Sequence, residues 1–290
     1  MRFTLMLGIG GYADYLAVAK AAEDSGWATI SVPDSFFFPK TTESEYPYSD
    51  HDMIRGFLEV SPFIEPIVAM SCMAAVTNKI RFCCGVMKVP MRQPLILAKQ
   101  LTSLAVMSGE RLDFGAGISP WKEDFIYNGV PFEKRGERLD EVIEIIRKAE
   151  KGEFFEHHSP NYDFASLRMC PVPKKPIPVI IGGHARLALA RAARLGDGWF
   201  SANSDPDSLK QMIDQLNALR VEYGTQNHPD FRIHAFNQFA QSADDFKQLR
   251  DLGATDLCAM GWNPFDENLT AQAKIDSLRR FGDEVIARVS

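Results

Sequence analysis

The sequence predicts a closed (β/α)8 barrel, and three observations support this fold class. Eight short apolar runs alternate with eight helical patterns along the 290 residues, which is the element count of such a barrel. Most of the apolar runs are nearly continuous, as expected for parallel strands that are covered on both faces. No Pro/Ser-rich linker or shift in composition divides the chain, so we expect one domain over residues 1–290.

The predicted strands and helices alternate from the first residues onward. The strands are predicted at Phe3–Leu7, Thr29–Val32, Ile80–Val86, Leu112–Ala116, Val179–Ile181, Trp199–Ser201, Phe231–Phe236 and Leu257–Met260. The helices are predicted near residues 12–25, 61–76, 93–107, 138–151, 185–195, 206–223, 243–252 and 267–287. The clearest helical pattern is the apolar stripe formed by Leu139, Val142, Ile143 and Ile146.

Two long connections predict insertions into the barrel. The first insertion, residues 34–60, follows the second strand and is rich in Phe and Tyr. The second insertion, residues 153–176, precedes the fifth strand and is typical of a hairpin followed by a Pro-rich turn. Because long connections in compact domains are often functional, we interpret the first insertion as a lid over a substrate. A packed surface excursion is the alternative interpretation.

Composition argues against several classes of protein. The formal net charge of -6 disfavours a nucleic-acid partner, because binding to phosphates needs a basic surface. We find no N-terminal apolar stretch long enough for a signal peptide or a membrane span, so we expect a cytoplasmic protein without membrane contact. The cysteines and histidines show no metal-ligand spacing, so no metal site is expected.

The N-terminal segment TLMLGIGGYADY offers a competing interpretation. Gly8, Gly10 and Ala13 match G-x-G-x-x-G/A after a strand, and Asp34 lies about 20 residues further on. This pattern is typical of a nicotinamide-binding Rossmann domain. A Rossmann sheet would normally stop at six strands and be followed by a different domain. The barrel is therefore the favoured fold, and an NAD(P)-linked dehydrogenase remains an alternative function.

The C-terminal ends of the strands are the positions where a barrel carries its chemistry. Trp121, Trp199 and Trp262 fall at or just beyond such ends and predict an aromatic-walled pocket for a flat ring or an apolar substrate. No nucleophile-and-base set is visible, so the catalytic group is not assigned. The candidates at these ends are Asp34, Ser35 and Glu123.

The segment PVIIGGHARLALARAARLGDGW predicts an anion site. The fifth strand ends in Gly182 and Gly183, and a helix begins near His184 or Ala185. The first N–H groups of a helix are unsatisfied donors at its positive end, and phosphates often bind at the late loops of barrels. A tight turn without a ligand is the alternative. Since neither a metal nor a catalytic triad is visible, a bound cofactor is the simplest source of reactivity.

Two segments of the chain resemble the luciferase-like flavin and deazaflavin oxidoreductase superfamily. They are GVMKVPMRQPLILAKQLTSLAVMSGERLDFGAGISPWKEDFIYNGVPFEKRGERLDEVIEIIRK and PIPVIIGGHARLALARAARLGDGWF, and the resemblance extends over residues 1–203. It implies a (β/α)8 TIM barrel with insertions, a homodimer, and either FMN or the deazaflavin coenzyme F-420. The segments VPDSFFFPKTTESEYPY and GISPWKEDF most resemble those of deazaflavin-dependent members, so coenzyme F-420 is favoured over FMN.

The resemblance also implies roles for individual residues. Gly85 and Val86 match a non-proline cis peptide beneath the central ring of the cofactor. Asp34 matches an acidic residue at the edge of that ring. Other positions match the rim beside the ring (Gly117, Ser119 and Trp121) and the loop that holds the cofactor phosphate (Gly182, Gly183, His184 and Ala185).

One position departs from the family pattern. Ser35 stands where some deazaflavin dehydrogenases carry a catalytic histidine, so dehydrogenation of a sugar phosphate is not expected. The sequence predicts an oxidoreductase that transfers hydride to, or mono-oxygenates, a small apolar organic substrate. A non-catalytic cofactor-binding barrel is a further alternative.

Overall fold

The computed structural model describes residues 1–7, 11–46, 51–264, 266 and 268–289, without the side chains of residues 51–54 and 57. In chain order the strands are β1 (Arg2–Met6), β2 (Thr29–Val32), β3 (Arg81–Cys84), β4 (Met87–Lys88), β5 (Leu112–Gly117), β6 (Phe155–His158), β7 (Asp163–Leu167), β8 (Val179–Gly182), β9 (Gly198–Asn203), β10 (Arg232–Phe236) and β11 (Asp256–Ala259).

The helices alternate with these strands. They are α1 (Tyr15–Asp24), α2 (His51–Val60), α3 (Pro66–Ala74), α4 (Pro94–Met107), α5 (Lys122–Ile126), α6 (Arg135–Ala149), α7 (Arg186–Leu195), α8 (Pro206–Glu222), α9 (Ala243–Asp251), α10 (Ala271–Phe281) and α11 (Ala287–Val289). A 3-10 turn, Tyr12–Asp14, precedes α1, and a π-helical turn, Gly282–Ile286, precedes α11. No helix of the described residues has the length and apolar character needed to cross a membrane.

The barrel closes where β3 pairs with β5. The parallel strands follow the order β5, β3, β2, β1, β11, β10, β9, β8 and back to β5. Phe82 lies opposite Leu112, and Cys83 lies opposite Asp113. A Cβ on Gly115 would overlap the carbonyl oxygen of Cys84, so glycine is required at this close approach of the two strands. The predicted (β/α)8 barrel is confirmed, and an open Rossmann sheet is excluded.

The outward faces of the strands are covered by apolar helix faces. On β1, Phe3 is buried and makes edge contacts with the rings of Trp27, Phe246 and Phe281 at centroid distances of 5.3 to 6.3 Å. Trp27 also stacks on Phe281 at 4.8 Å. Burying each such side chain stabilises the fold by roughly 1.5–3 kcal/mol. This aromatic cluster locks α9 and α10 against the first strand.

The two insertions interrupt the regular alternation, as predicted. The first contains α2, which the sequence patterns did not predict. The second contains the antiparallel hairpin of β6 and β7, as expected. Glu141 on α6 ties this hairpin to the barrel by accepting hydrogen bonds from His157 and Asn161, both at 2.7 Å, and from the hydroxyl of Ser159.

A cluster of charged side chains fills the N-terminal end of the barrel; we call it the floor cluster (Arg2, Arg81, Asp113, Arg232 and Asp256). Arg232 bridges both carboxylates, with its Nη1 2.5 Å from Asp113 and its Nη2 2.7 Å from Asp256. Arg81 also pairs with Asp113, at 2.6 Å, and Arg2 with Asp256, at 2.8 Å. Burial would raise the pKa of each aspartate, but the guanidinium groups hold both below their usual values.

His234 lies inside the barrel beside this floor cluster. The side chain is fully buried and stacks on the ring of Phe200 at a centroid distance of 5.2 Å. Neither ring nitrogen has a hydrogen-bond partner among the described residues. Burial lowers the pKa of His234 to about 4, because protonation would place a poorly solvated cation inside the barrel.

We expect this buried imidazole to make the protein less stable as the pH falls from 6.5 to about 4. The unfolded chain takes up the proton near its usual pKa of 6.5, whereas folded His234 stays neutral down to about 4. The unfolded state therefore binds more protons in this window, and the difference amounts to about 3 kcal/mol. Urea unfolding between pH 4 and pH 7 measures the loss.

Two histidine variants separate this contribution from the titration of other groups. His234→Gln should remove about 3 kcal/mol of the pH dependence, because glutamine does not titrate. The matched variant His228→Gln changes a half-buried histidine that pairs with Asp197 at 3.2 Å. This variant should keep the pH dependence of the wild type. A His234→Gln protein with the wild-type pH dependence would contradict the buried neutral imidazole.

Candidate functional site

The barrel mouth is shaped by a bulge between β3 and β4. Cys83 lies opposite Asp113, and Met87 lies opposite Ala116. Residues 84–86 therefore face only residues 114–115 of β5, which leaves one extra residue in the strand. The Gly85–Val86 peptide bond within the bulge is cis, as the resemblance implied. The contact of this bulge with a cofactor ring stays a prediction.

Val86 packs into a gap left by glycines on two neighbouring strands. A Cβ on Gly117 of β5 would overlap a methyl group of Val86. A Cβ on Gly182 of β8 would lie 2.9 Å from both of its methyl groups. Real Cβ contacts are longer than this, so the bulge can occupy the mouth only if both positions remain glycine.

The β8–α7 turn (Gly182, Gly183, His184 and Ala185) brings the predicted anion-binding residues together. Gly183 has a φ of +121°, which side-chain-bearing residues rarely adopt. Its carbonyl oxygen accepts a 2.8 Å hydrogen bond from Trp199 Nε1, which holds the turn in place. Ala185 is the N-cap of α7 and supplies no side-chain cap. The first N–H groups of α7 are therefore left for water or an anion.

His184 faces the hydroxyl groups of β9 and the following loop. Its Nε2 lies 3.4 Å from both Ser201 Oγ and Ser204 Oγ. Burial lowers the pKa of His184, so the ring is neutral at neutral pH. His184 is therefore a neutral hydrogen-bonding group beside the turn and not a charged contact. A groove of about 780 Å³ opens beside it, lined partly by the amide side chains of Asn203, Gln211, Gln215 and Asn237.

Asp34, a predicted cofactor contact and catalytic candidate, is held in an ion pair. Its side chain is only 1% exposed, and Arg92 Nη2 lies 3.0 Å from both carboxylate oxygens. The backbone N–H of Lys88 donates to Asp34 Oδ2 at 2.8 Å. Asp34 thus fixes the strand that follows the bulge. Its contact with the edge of a cofactor ring stays a prediction.

Glu123, the third catalytic candidate, connects α5 to the first insertion. Its Oε2 accepts hydrogen bonds from Thr42 Oγ1 at 2.9 Å and Ser44 Oγ at 3.4 Å. Ser44 Oγ also accepts from the N–H of Lys122 at 3.0 Å. These contacts draw the insertion over the start of α5. In this arrangement Glu123 anchors the insertion, and a catalytic role for it stays a prediction.

An aromatic cavity of about 150 Å³ lies beneath the first insertion. Its wall is formed partly by Phe36, Phe37, Phe38 and Trp121, and the catalytic candidate Ser35 also lines it. Trp121 is buried and stacks on Tyr46 at a centroid distance of 5.9 Å. The described part of the insertion thus lies beside a cavity that is lined by aromatic and polar side chains, and its role as a lid stays a prediction.

The other two tryptophans predicted for this wall lie elsewhere, so that prediction was wrong. Trp199 is fully buried in the layer between the barrel and its helices. Trp262 packs against the outer core, with Lys274 Nζ 5.8 Å from its ring centroid. Position near a strand end does not decide which face of the strand a side chain occupies. The phenylalanines of the first insertion supply the apolar wall instead.

A buried ion pair beside this cavity was missed by the sequence analysis. Lys88 Nζ lies 2.7 Å from Asp124 Oδ2, and their side chains are 11% and 2% exposed. Ser119, a predicted cofactor contact, donates its hydroxyl to the same carboxylate and accepts from the N–H of Trp121 at 3.1 Å. The available signal was a lysine at the end of a buried strand, because buried lysines are rare without a partner.

Metal ligands do not cluster in the part of the chain that the structure describes. No three His, Cys, Asp or Glu side chains come together there in an arrangement that could hold a metal ion. The polar groups at the mouth are instead amides, hydroxyls and paired charges. Such groups suit an organic ligand held by hydrogen bonds.

A closed barrel with a glycine-supported bulge and an uncapped helix at its mouth defines a ligand-binding (β/α)8 protein. The model of the luciferase-like monooxygenase family matches residues 2–283. The chain therefore belongs to the luciferase-like monooxygenase family, whose members include flavin-dependent and F-420-dependent oxidoreductases.

The chain is also similar to individual known proteins. An uncharacterized protein of Mycobacterium tuberculosis is 41% identical over 292 residues, which cover all of both chains. The FMNH2-dependent dimethylsulfone monooxygenase of Pseudomonas putida is 29% identical over 167 residues, covering 55% of this chain and 45% of the relative. The coenzyme F-420-dependent tetrahydromethanopterin reductase of Methanopyrus kandleri shares the fold at a TM-score of 0.77 and 15% identity, covering 100% and 99% of the chains.

We expect Gly117→Ala to disturb the barrel mouth, because its Cβ would overlap Val86. Such overpacking costs about 1–3 kcal/mol, which urea unfolding would measure. The double variant Gly117→Ala/Val86→Ala should recover most of this loss. The control Gly56→Ala introduces a Cβ with nothing within 4 Å and should not destabilise the protein. Equal stability of Gly117→Ala and the wild type would show that Val86 does not need this gap.

Proposed function

We propose that the protein is an oxidoreductase that uses a reduced flavin or deazaflavin, with coenzyme F-420 favoured over FMN. It would transfer hydride to, or mono-oxygenate, a small apolar organic substrate. The observation that carries this proposal is the uncapped start of α7 directly after Gly182 and Gly183, at the same mouth as the Val86 bulge. An anion site and a ring-sized platform are the two features that such a cofactor needs.

The phosphate of the cofactor would bind at the β8–α7 turn. The N–H groups that follow Ala185 supply donors, and Gly183 allows close approach to the backbone. His184 and Ser204 add neutral polar groups beside the turn. No counter-charge is needed at this position, since the helix N-terminus already favours an anion.

The ring of the cofactor would lie across the Val86 bulge, with Asp34 at its edge. When bound, the reduced cofactor supplies a hydride or, as FMN with dioxygen, an oxygen atom. The residues of this chain orient the ring and exclude water. Phe36, Phe37 and Trp121 would place an apolar substrate beneath the first insertion, where low water content protects a reactive centre.

The preference for coenzyme F-420 draws support from the space beside the phosphate site. FMN ends at its phosphate, whereas coenzyme F-420 continues beyond it. The groove beside His184, about 780 Å³ in volume, provides room for such an extension. Its amide side chains can donate and accept hydrogen bonds. Relatives of both cofactor types are similar to this chain, so the affinities must be compared directly.

The alternative functions receive less support from the site. An NAD(P)-linked dehydrogenase would need the carboxylate of Asp34 for a ribose, but Arg92 and the Lys88 N–H occupy it. Gly8 and Gly10 of that motif lie outside the described residues. A non-catalytic cofactor binder shares the same anion site and would be distinguished by the absence of turnover in a broad substrate screen.

We further propose that the protein is a cytoplasmic homodimer with a small-molecule substrate and with no nucleic-acid or membrane partner. The homodimer follows the family resemblance. The net charge of -6 supports the absence of a nucleic-acid partner, because phosphates would be repelled.

We expect Gly183→Asp to raise the dissociation constant of FMN or coenzyme F-420 at least about tenfold, because juxtaposed like charges cost several kcal/mol. Fluorescence titration of the purified protein measures it. Gly224→Asp is a matched control, since Gly224 also has a positive φ, +71°, and follows α8 outside the site. Unchanged affinity in Gly183→Asp would remove the β8–α7 turn from the proposal.

We also expect coenzyme F-420 to bind more tightly than FMN. One or two extra hydrogen bonds in the groove would lower its dissociation constant by about tenfold. Absorbance and fluorescence titrations with each cofactor compare the two constants on one protein sample. Tighter binding of FMN would contradict the preference while leaving a flavin-dependent function in place.

A further inference from the structure

The cavity beneath the first insertion has the size of a single ring. Its volume is about 150 Å³, and a protein cavity of that size is known to hold benzene. Five aromatic side chains line it, namely Phe36, Phe37, Phe38, Phe63 and Trp121. Ser35, Arg55, Glu59 and Ser61 also line it, so a substrate that fills this space must be compact and must place its ring against the aromatic side chains.

Asp124 is the buried carboxylate in the wall of this cavity. The residue is 1% exposed and lines the cavity together with Phe36. Both hydrogen bonds that the described residues give to its carboxylate end on Oδ2, from Lys88 Nζ and from Ser119 Oγ. Oδ1 therefore keeps its acceptor capacity. A ligand that enters the cavity can therefore donate a hydrogen bond to this oxygen.

The charge around Asp124 restricts the kind of donor that suits it. Lys88 already neutralises the carboxylate at 2.7 Å, so a cationic ligand would place a second positive charge beside the ammonium. An anionic ligand would meet Asp124 itself and Glu59, which also lines the cavity. Arg55, which also lines the cavity, donates to the carbonyl oxygen of Pro39 at 2.9 Å and lies over the ring of Phe38. A neutral hydroxyl group satisfies the free oxygen without leaving an unpaired buried charge.

We propose that Asp124 accepts the hydrogen bond of a neutral hydroxyl group on a ring-sized apolar substrate, such as a monocyclic alcohol or phenol. Lys88 and Ser119 are positioning residues that hold Oδ2 and leave Oδ1 for the substrate. This inference names a substrate class for the mono-oxygenation in the proposed function, because a simple alcohol or phenol cannot accept a hydride, and it rests on that function. It also supplies a polar contact at a site where Ser35 replaces the histidine of some relatives.

The test compares two probes of nearly equal shape, benzyl alcohol and ethylbenzene, by ligand-observed NMR titration of the protein without cofactor. Wild-type protein should bind benzyl alcohol about tenfold more tightly than ethylbenzene, the equivalent of one good hydrogen bond. Lys88→Met/Asp124→Leu should bring this ratio close to one while ethylbenzene still binds. The double variant removes both charges, because a lone buried charge would destabilise the fold.

The control variant is Lys210→Met/Asp214→Leu, which makes the same two substitutions at an exposed ion pair on α8. It should keep the wild-type ratio. Benzylamine, which is cationic at neutral pH, should bind more weakly than benzyl alcohol. The proposal is overturned if wild-type protein binds neither neutral probe, binds both equally, or prefers benzylamine.

A measurement on the wild type alone covers the case in which the double variant loses its cavity. The carboxylate carbon-13 resonance of Asp124 should move further with benzyl alcohol than with ethylbenzene, whose ring fills the same cavity without donating a hydrogen bond. An unmoved resonance with both probes would overturn the proposal. Because no cofactor is present in these experiments, their failure is distinguishable from a failure to bind FMN or coenzyme F-420.

Discussion

The extra residue between β3 and β4, opposite β5, is the constraint on which the mouth of this barrel depends. It pushes Val86 across the opening, where only glycine at positions 117 and 182 leaves room for it. Asp34 then holds the strand beyond the bulge through the N–H of Lys88. That strand carries the ammonium that pairs with Asp124. The displaced segment thus fixes both the shape of the mouth at Val86 and the position of Lys88 beside Asp124.

Much of the fold follows from local patterns that tertiary structure reinforces. The parallel strand β8 is covered on both faces, so its apolar run marks it clearly. α2 and α5 were missed because each lies within a connection rather than in the repeating βα unit, and the five residues of α5 are too few to show a helical period. The charged residues of the floor cluster were visible inside apolar runs. Their pairing joins Asp113 to Arg232, which local patterns cannot reveal.

The candidate site was predictable where the family resemblance applied and less so elsewhere. The cis peptide at Gly85 and the uncapped turn after Gly183 lie where the sequence placed them. The partners of Asp34 and Asp124 depend on side chains from other loops, so no spacing rule identifies them. The prediction that three tryptophans line the pocket was wrong for a related reason, since Trp199 faces outward from its strand. The position of a residue at a strand end places it near the barrel mouth, while the pleat of the strand and the packing around it decide whether its side chain faces the site.

The floor cluster determines which end of the barrel a ligand can use. Its guanidinium groups pair with the fully buried carboxylates of Asp113 and Asp256, and opening a passage between them would leave those carboxylates unpaired. In the part of the chain described, the barrel is therefore closed at its N-terminal end. A ligand that enters the barrel through its mouth must therefore leave through the mouth. The product has to leave before the next substrate molecule enters, so a product that dissociates slowly would act as a competitive inhibitor.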